Sequence, residues 1–308
     1  MASLKQLKEK RKSVNKTRKV TRAMEAVSAV KMRKAQERAL GARGYARAAM
    51  RILAQVASAS KLTEHPLTVK RDGGKVGLIV ITSDKGLAGS LNSAVLKKAT
   101  DFLKEKSLTN KDVLCITLGR RGGDYFRKRG FEMLHSEENK SDEVEKTDLE
   151  SITELALEKH LSKETRSWYI VYTNFKSTFE QEAKLTRLFP LSRGALEEII
   201  ASIAPEKGKY AEGAADKALK AGGAYTVEAE TDGDVMQFLA PMLGNILVYH
   251  TLLESKASEH SARMVAMKSA TDKAGELSHI LQLKFNKARQ AAITREVSEI
   301  TSGIEAMK

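Results

Sequence analysis

The sequence predicts an α plus α/β protein: a long antiparallel two-helix coiled coil formed by both termini, with an α/β domain inserted between them. Three observations carry that expectation. The prolines are Pro66, Pro190, Pro205 and Pro241, so both ends lack the residue that costs a helix interior about 3 kcal/mol. Both ends also repeat apolar residues at three- and four-residue steps. Between them, short β-branched runs alternate with helical patterns.

The N-terminal helix comes first. Residues 3–58 contain no glycine before Gly41 and are rich in Ala, Lys, Arg, Met and Leu, all good helix formers. Leu4, Leu7, Val14, Val20, Met24, Val27 and Val30 form its expected seam. At the other end, residues 242–304 contain only Gly244, Gly275 and Gly303. Leu253, Ala257, His260, Met264, Met267, Thr271 and Ala274 form a second stripe, continued by Leu277, Leu281, Phe285, Ala288 and Ala292. As continuous helices at 1.5 Å per residue, segments of this length reach roughly 80–95 Å. Helices that long draw their stability from packing, and small seam residues let two of them approach closely. Pairing the two ends antiparallel is the economical solution. The expected divisions are residues 1–60, 61–232 and 233–308.

The middle reads as a mostly parallel sheet with right-handed crossovers. Strands are expected at 75–82, 113–118, 131–135 and 168–174. Helices are expected after the SDKGLAGSLN loop as far as Leu103, at YFRKRG and over 148–160. Ser136–Glu150, dense in acids, and Pro205–Ala224, rich in Ala, Gly and Lys, are expected to be mobile.

Composition narrows the chemistry. Aromatics are only 5% of the chain, with Trp168 the single tryptophan, which argues against one thick globule. The formal net charge of +14 calls for an anionic neighbour, and nucleic acid, phospholipid and acidic protein all qualify. Cys115, the one cysteine, lies in the apolar run VLCITL and is expected to be a buried, inert thiol. It allows neither an internal disulfide nor a cysteine metal cluster. Cytoplasmic conditions fit. No apolar run approaches the ~20 residues of a membrane span. The basic N-terminus carries one unbroken amphipathic pattern from Leu4 past Leu53, so no removable targeting segment is expected.

Candidate sites are few. The loop Asp84–Asn92 joins a strand to a helix, where phosphates bind in nucleotide enzymes, but it fits neither G-x-G-x-x-G nor the P-loop pattern. It reads as a glycine-built turn. The histidines His65, His135, His160, His250, His260 and His279 show no metal spacing, and no nucleophile elbow is present. Catalytic residues, cofactor and metal are therefore all expected to be none. The basic track is the strongest chemical signal. Lys5, Lys8, Lys10, Arg11, Lys12, Lys16, Arg18, Lys19 and Arg22 precede residue 23 with Glu9 the only acid among them, and Lys31, Arg33, Lys34, Arg38, Arg43, Arg47 and Arg51 follow. A solvated helix normally mixes signs to gain i,i+4 pairs of ~0.2–0.5 kcal/mol each. This one forgoes them, so an external anion is expected. The track has no interleaved aromatics for base stacking and no following zipper, and an acidic protein surface fits it at least as well as nucleic acid does.

Specific motifs then take the reading further. TRKVTRAMEAVSAVKMRKAQ at 17–36, including T-x-A-M at 21–24 and K-M-R-K-A-Q at 31–36, resembles the first shaft helix of the gamma subunits of F-type, rotary ATP synthases. ARMVAMKSATDKAG at 262–275 and FNKARQAAIT at 285–294 are similar to that family's C-terminal signature, and DKGLAGSLN to the loop after the first strand of its central domain. The stretch 192–224 is longer than the family pattern. The resemblance implies a Rossmann-like inserted domain and a shaft without a catalytic site of its own. It implies one copy per complex, with the alpha3beta3 hexamer, the epsilon subunit and the membrane c-ring as partners. It further implies no nucleic acid, membrane contact only through the c-ring, and the cytoplasmic face of a bacterial inner membrane. By the same likeness Met24, Lys31, Arg33, Arg263, Arg289, Gln290, Thr294 and Glu299 would face the alpha/beta ring. Two other classes stay open on the residues alone. A basic coiled coil that binds nucleic acid would show steep salt-dependent retention on DNA. A nucleotide-binding α/β enzyme with helical arms would bind nucleotide saturably.

Overall fold

Two long helices run through the chain in the computed structural model, which describes residues 4–59, 67, 69–138, 144, 147–190 and 232–307. Helix α1 spans Leu4–Ala59 and helix α5 spans Asp232–Ala306. Between them lie β1 (Lys75–Ile81), α2 (Leu91–Glu105), β2 (Val113–Leu118), α3 (Arg120–Arg127) and β3 (Glu132–Glu137). Next come α4 (Glu150–Leu161), β4 (Thr165–Phe175) and β5 (Gln181–Phe189). The chain divides into two compact units, one of Met1–Ala29 with Arg263–Lys308 and the other of Val30–Ala262.

In the first unit the ends of the chain pair as an antiparallel coil. The Arg11 guanidinium lies over the Phe285 ring, Asn15 accepts a hydrogen bond from Ser278, and Thr21 accepts one from Thr271. The partner's number falls as the α1 number rises, which is the antiparallel register. On α5 the inward positions are Met267, Thr271, Ala274, Ser278, Leu281, Phe285 and Ala288, all buried or half-buried. Their unbroken alternation of four- and three-residue steps is a heptad, and a 3.5-residue period imposes a left-handed supercoil. The seam expected on α5 therefore needs one correction: Leu277 faces outward and Ser278 takes its place. The seam expected on α1 needs more. Val20 and Val27 are over half exposed, while Thr21 and Ser28 are buried. Val30, at the edge of the other unit, is likewise exposed.

The second unit is built on a five-stranded sheet of order β3-β2-β1-β4-β5. The first four strands are parallel, in the half-Rossmann order 3-2-1-4, and β5 turns back antiparallel to β4 at the edge. The fold class expected from sequence is thus the one observed, with β5 as an unexpected strand. Both faces of the sheet are covered, so β1 and β2 are continuous apolar runs rather than alternating ones. Val76, Leu78 and Val80 pack with Val95, Phe102 and Phe126 from α2 and α3. On the other face Ile79, Ile81, Trp168 and Ile170 pack with Ile152 of α4 and with Ile246, Leu247 and Leu252 of α5. Cys115 lies in the first of these layers, and burial pushes its thiol up to about 12. Among the described residues no helix is long and apolar enough to cross a membrane.

Local differences from expectation have physical causes. Helix α5 starts before Pro241 and continues through it. The following turns bury Ile246, Leu247 and Val248 in the sheet's core, which offsets the ~3 kcal/mol such a proline costs. Ser136–Glu150 is not loose throughout: Ser136 and Glu137 finish β3, Thr147–Leu149 form a 3-10 turn and Glu150 opens α4. Pro205–Ala224, the longer stretch 192–224 and His65 lie outside the described residues.

Gly77 has a packing reason. It pairs with Trp168 in the β1–β4 register, and a Cβ there would fall 2.1 Å from the indole ring. The indole Nε1 donates to Thr165 Oγ1 at 2.9 Å, which fixes the ring where it is. Gly77→Ala is expected to destabilise this unit by about 2–4 kcal/mol, at the upper end of overpacking costs. Urea unfolding followed by fluorescence of Trp168, the only tryptophan, measures it. An unchanged midpoint would show that the ring relocates at no cost.

Candidate partner interface

Among the described residues no enclosed site dominates, so the functional surface has to be built from what each element leaves uncovered. The nucleotide position of the α/β fold is the first to examine. In doubly wound sheets ligands sit outside the carboxyl ends of the strands, at the switch point, here between β1 and β4. In this chain α5 fills that crevice. Leu252, Ser255, Lys256 and Glu259 close over Ile81, Thr82, Ser83 and Thr173 and leave a cavity of only about 10 Å³. The filling is hydrogen-bonded as well as packed. Glu254 accepts from the Phe175 backbone N–H at 3.0 Å, and Ser255 Oγ accepts from the Thr173 N–H at 3.2 Å. Ser258 Oγ donates to the Thr173 carbonyl at 3.4 Å, and Ser261 Oγ to the Thr178 carbonyl at 2.7 Å.

The glycine loop is closed in the same manner. Asp84 accepts a hydrogen bond from the Arg120 backbone N–H at 2.9 Å, and Thr82 Oγ1 accepts one from Gly122 N–H at 2.8 Å. The N-terminus of α3, the neighbouring helix start, thus already holds a protein carboxylate and a hydroxyl. Ser83 and Asn92 tie the end of β1 to the start of α2 through two further bonds of 2.9 and 2.7 Å. Gly89, with φ +59°, supplies the left-handed turn between them. The loop is a turn, as its spacing indicated.

Among the described histidines, His160 is buried and stacked on Phe189, His250 lies 3.8 Å from the buried Glu254, and His260 is buried. His135 sits 3.7 Å from Glu137 and His279 is exposed. No cluster that could hold a metal ion occurs among the described residues.

What remains is the surface of the long helices. Lys5, Lys8, Lys10, Lys12, Lys16, Arg18, Lys19 and Arg22 are exposed, as are Lys31, Arg33 and Lys34 further along α1. The side chains of Arg43, Arg47 and Arg51 lie outside the description. Beside this cationic surface run apolar residues that the seam does not use: Val20 and Val27 on α1, and Leu277, Ile280 and Leu283 on α5. The antiparallel register brings Leu4 opposite residues 288–292, about the point beyond which α5 has no described α1 residue facing it. There Ile293, Val297, Ile300 and Ile304 step by four, three and four, so they share one face, and each is more than half exposed. Patterned apolar stripes of this kind mark sites of association.

The residues singled out from sequence fall into groups. Arg289, Gln290, Thr294 and Glu299 are exposed on the last turns of α5, with Thr294 Oγ1 donating to the Gln290 carbonyl at 3.0 Å. Met24 is half-buried on α1, and by the register it lies about 30 Å along the coil from Arg289. Lys31 and Arg33 are exposed, whereas Arg263 is only 8% exposed. The structure gathers four of the eight and leaves the others elsewhere. Sequence reasoning missed the outward stripes. The signal was present in the offset of Val20 and Val27, seven residues apart, from the heptad through Thr21 and Ser28.

Fold and surface together define the class: a coil satisfied along its inner seam, apolar and cationic outside, and an α/β unit inserted in the chain between its two helices, with the switch-point crevice filled. The comparisons agree. The family described as ATP synthase matches residues 3–307. The ATP synthase gamma chain of Pelotomaculum thermopropionicum is 37% identical over 308 residues, covering all of both chains. The chain belongs to the ATP synthase gamma-chain family, and as such is a subunit of the enzyme complex and not itself catalytic. Two solved structures share the fold. A chain of the Euglena gracilis mitochondrial ATP synthase, solved as OSCP/F1/c-ring in rotational state 3, aligns with TM-score 0.62 and 17% identity over 99% of this chain and 94% of that one. A chain of the Tetrahymena thermophila mitochondrial ATP synthase central stalk and c-ring aligns with TM-score 0.59 and 21% identity over 82% of this chain and 99% of that one.

The hydroxyl pair in the seam yields a quantitative expectation. Thr21 accepts from Thr271 at 2.7 Å and donates to the Arg18 carbonyl at 3.1 Å, while Thr271 retains the Met267 carbonyl at 2.8 Å as an alternative. Each hydroxyl therefore loses a partner but not all partners when the other is removed. Thr21→Val and Thr271→Val should each cost about 1 kcal/mol, and the double variant less than their sum. Thermal unfolding followed by circular dichroism provides the cycle. Strict additivity would mean that the two groups do not interact.

Proposed function

We propose that this gamma chain is the central rotor of a proton-driven ATP synthase, one copy per complex. Its paired helices turn inside an alpha3beta3 ring, and its sheet-bearing unit meets the epsilon subunit and the c-ring. The complex sits on the cytoplasmic face of a bacterial inner membrane, which the chain touches only through the c-ring. Nucleic acid plays no part. The observation that carries the reading is the second set of stripes. The coil buries one seam against itself and still presents apolar residues on the outside, of which Ile300 at the α5 tip is 63% exposed. A solvated two-helix coil has no use for these; a shaft within a sleeve does.

The mechanism follows from differential binding. A ring whose catalytic members bound every face of the shaft equally would not respond to rotation, because only unequal affinity shifts a conformational equilibrium. The outside of this coil is unequal: a cationic tract on α1, outward valines beside it, and on α5 an isoleucine–valine stripe with Arg289, Gln290, Thr294 and Glu299 nearby. Arg289 and Gln290 are assigned to an acidic loop of a beta subunit, where an arginine can pair a carboxylate bidentately. Met24, Lys31, Arg33 and Arg263 belong to the same interface, Arg263 acting from beneath the surface. A surface that slides should hold few strong desolvated pairs at once, since breaking one costs several kcal/mol.

Co-expression with alpha and beta subunits tests this directly. ATPase-active particles with one copy of this chain per three alpha–beta pairs are expected. Within them, Arg289→Ala should leave assembly intact and reduce ATP hydrolysis two- to tenfold. Ile300→Asp, which sets a charge on the apolar tip, should reduce it further. Failure of the chain to enter the ring would overturn the shaft reading. Loss of assembly from Arg289→Ala alone would overturn the graded one.

A further inference from the structure

A cavity of about 260 Å³ opens at the other edge of the sheet, where β1 and β4 begin and β5 ends. Five cationic side chains line it, Lys70, Arg71, Lys106, Arg166 and Arg187, and Asp72 is the single carboxylate among the described lining residues. Two of the arginines donate to backbone carbonyls. Arg71 donates to the carbonyl of His160, and Arg166 donates to that of Asp72 at 3.3 Å. Lys106 has a carboxylate, that of Glu105, but only at 3.7 Å and well exposed to solvent. The Arg187 guanidinium lies 5.6 Å from the Tyr169 ring, and its Nε is buried without a hydrogen-bond partner among the described residues.

We propose that this cavity binds a phosphoryl-bearing anion, whether a free inorganic phosphate or pyrophosphate or the headgroup of an acidic phospholipid. The sign of the charge is decided by simple magnitudes. Lys106 caps the C-terminal end of α2, whose dipole brings roughly −0.5 of a charge. Together with Asp72 that sets about one and a half negative charges among the described lining groups against Lys70, Lys106, Arg166 and Arg187, before Arg71 is counted. Guanidinium groups present planar forks matched to phosphate oxygens, and three of the five cations are arginines. The Phe102 and Tyr169 rings, with centroids 4.6 Å apart, form one apolar wall of the cavity, and charge pairs beside such a wall are screened less than in open water. Size selects a small ligand. The volume lies below the ~300 Å³ at which pockets for drug-sized molecules begin, so it suits one or two phosphoryl groups. Only a group small enough to enter can also reach the buried Nε of Arg187. The site is unrelated to the usual phosphate position of α/β folds. That position lies at the opposite end of the strands, in the loop from β1 to α2 that Ser83 and Asn92 tie down.

Isothermal titration of the full-length chain with pyrophosphate and with orthophosphate, at physiological salt, tests the proposal. Sedimentation with phosphatidylglycerol vesicles against phosphatidylcholine vesicles identifies the source. Saturable binding is expected, weakened at least tenfold by Arg187→Ala and several-fold by Arg187→Lys, which keeps the charge but loses the fork. Lys97→Ala removes an exposed charge that does not line the cavity and should change affinity less than twofold. Binding only to phosphatidylglycerol, with the same dependence on Arg187, assigns the anion to lipid. If Arg187→Ala does not fold, Arg187→Lys carries the test. No saturable binding to either probe overturns the site, as would equal losses from Lys97→Ala and the Arg187 variants.

Discussion

The hydrogen bonds between α5 and the last residues of β4 set the geometry of the sheet-bearing unit. Glu254, Ser255, Ser258 and Ser261 occupy helix positions one, three and three residues apart and together engage the Thr173, Phe175 and Thr178 backbone. Glu254 is 1% exposed, and a carboxylate that deep is tolerated only where its oxygens are satisfied. Turning α5 by one residue, about 100°, would carry that carboxylate into the layer of Ile79, Trp168 and Ile170. The helix therefore has one rotational setting against the sheet. Apolar packing alone would not enforce this, because hydrophobic contact is non-directional and cores accept compensating rearrangements. For a protein that passes torque between a helix and a domain, a directional bond set of this kind is what resists slippage.

The same fastening fills the switch-point crevice of this half-Rossmann sheet and leaves no room in it for a nucleotide. Strand order and crossover hand create the crevice, and the glycine loop after β1 makes the approach possible. α5 then occupies it, and the loop's own Asp84 is engaged by the N-terminus of α3. Fold does not imply function, and in this chain the usual ligand position has become a joint.

Much of this was legible in the sequence, because its strongest signals are periodic. Both long helices, β1 and β2, the burial of Cys115 and the antiparallel pairing follow from proline placement, apolar runs and heptad spacing. The misreadings share one cause: hydrophobicity was taken as a proxy for burial. On α1 the seam passes through Thr21 and Ser28, whose hydroxyls suit a narrow interface, while Val20 and Val27 face out. β5 went unread because Gln181, Glu182, Lys184 and Arg187 dominate it, and an edge strand needs apolar residues on one face only, here Ala183 and Leu185. For the interface, composition could show that cations await a partner, but not which of them stand at one place. Arg289 and Gln290 stand together at the tip, whereas Arg263 lies buried far from it along the same helix.

An outward apolar stripe on a rotor raises a question of strength. Burying four branched residues such as Ile293, Val297, Ile300 and Ile304 completely could contribute on the order of 6–12 kcal/mol, enough to lock a shaft in place if the contact were specific to one orientation. Hydrophobic burial depends on area rather than direction, so a sleeve of similar apolar character on all sides would hold the tip equally at every angle. Its energy then centres the shaft without opposing its turning. Orientation must come instead from groups whose interactions are directional and individually modest, such as a guanidinium meeting a carboxylate near solvent. On the proposed division of labour the isoleucine–valine stripe would be the bearing. Arg289 and Gln290 at the tip, with the charged tract of α1, would supply the angular signal.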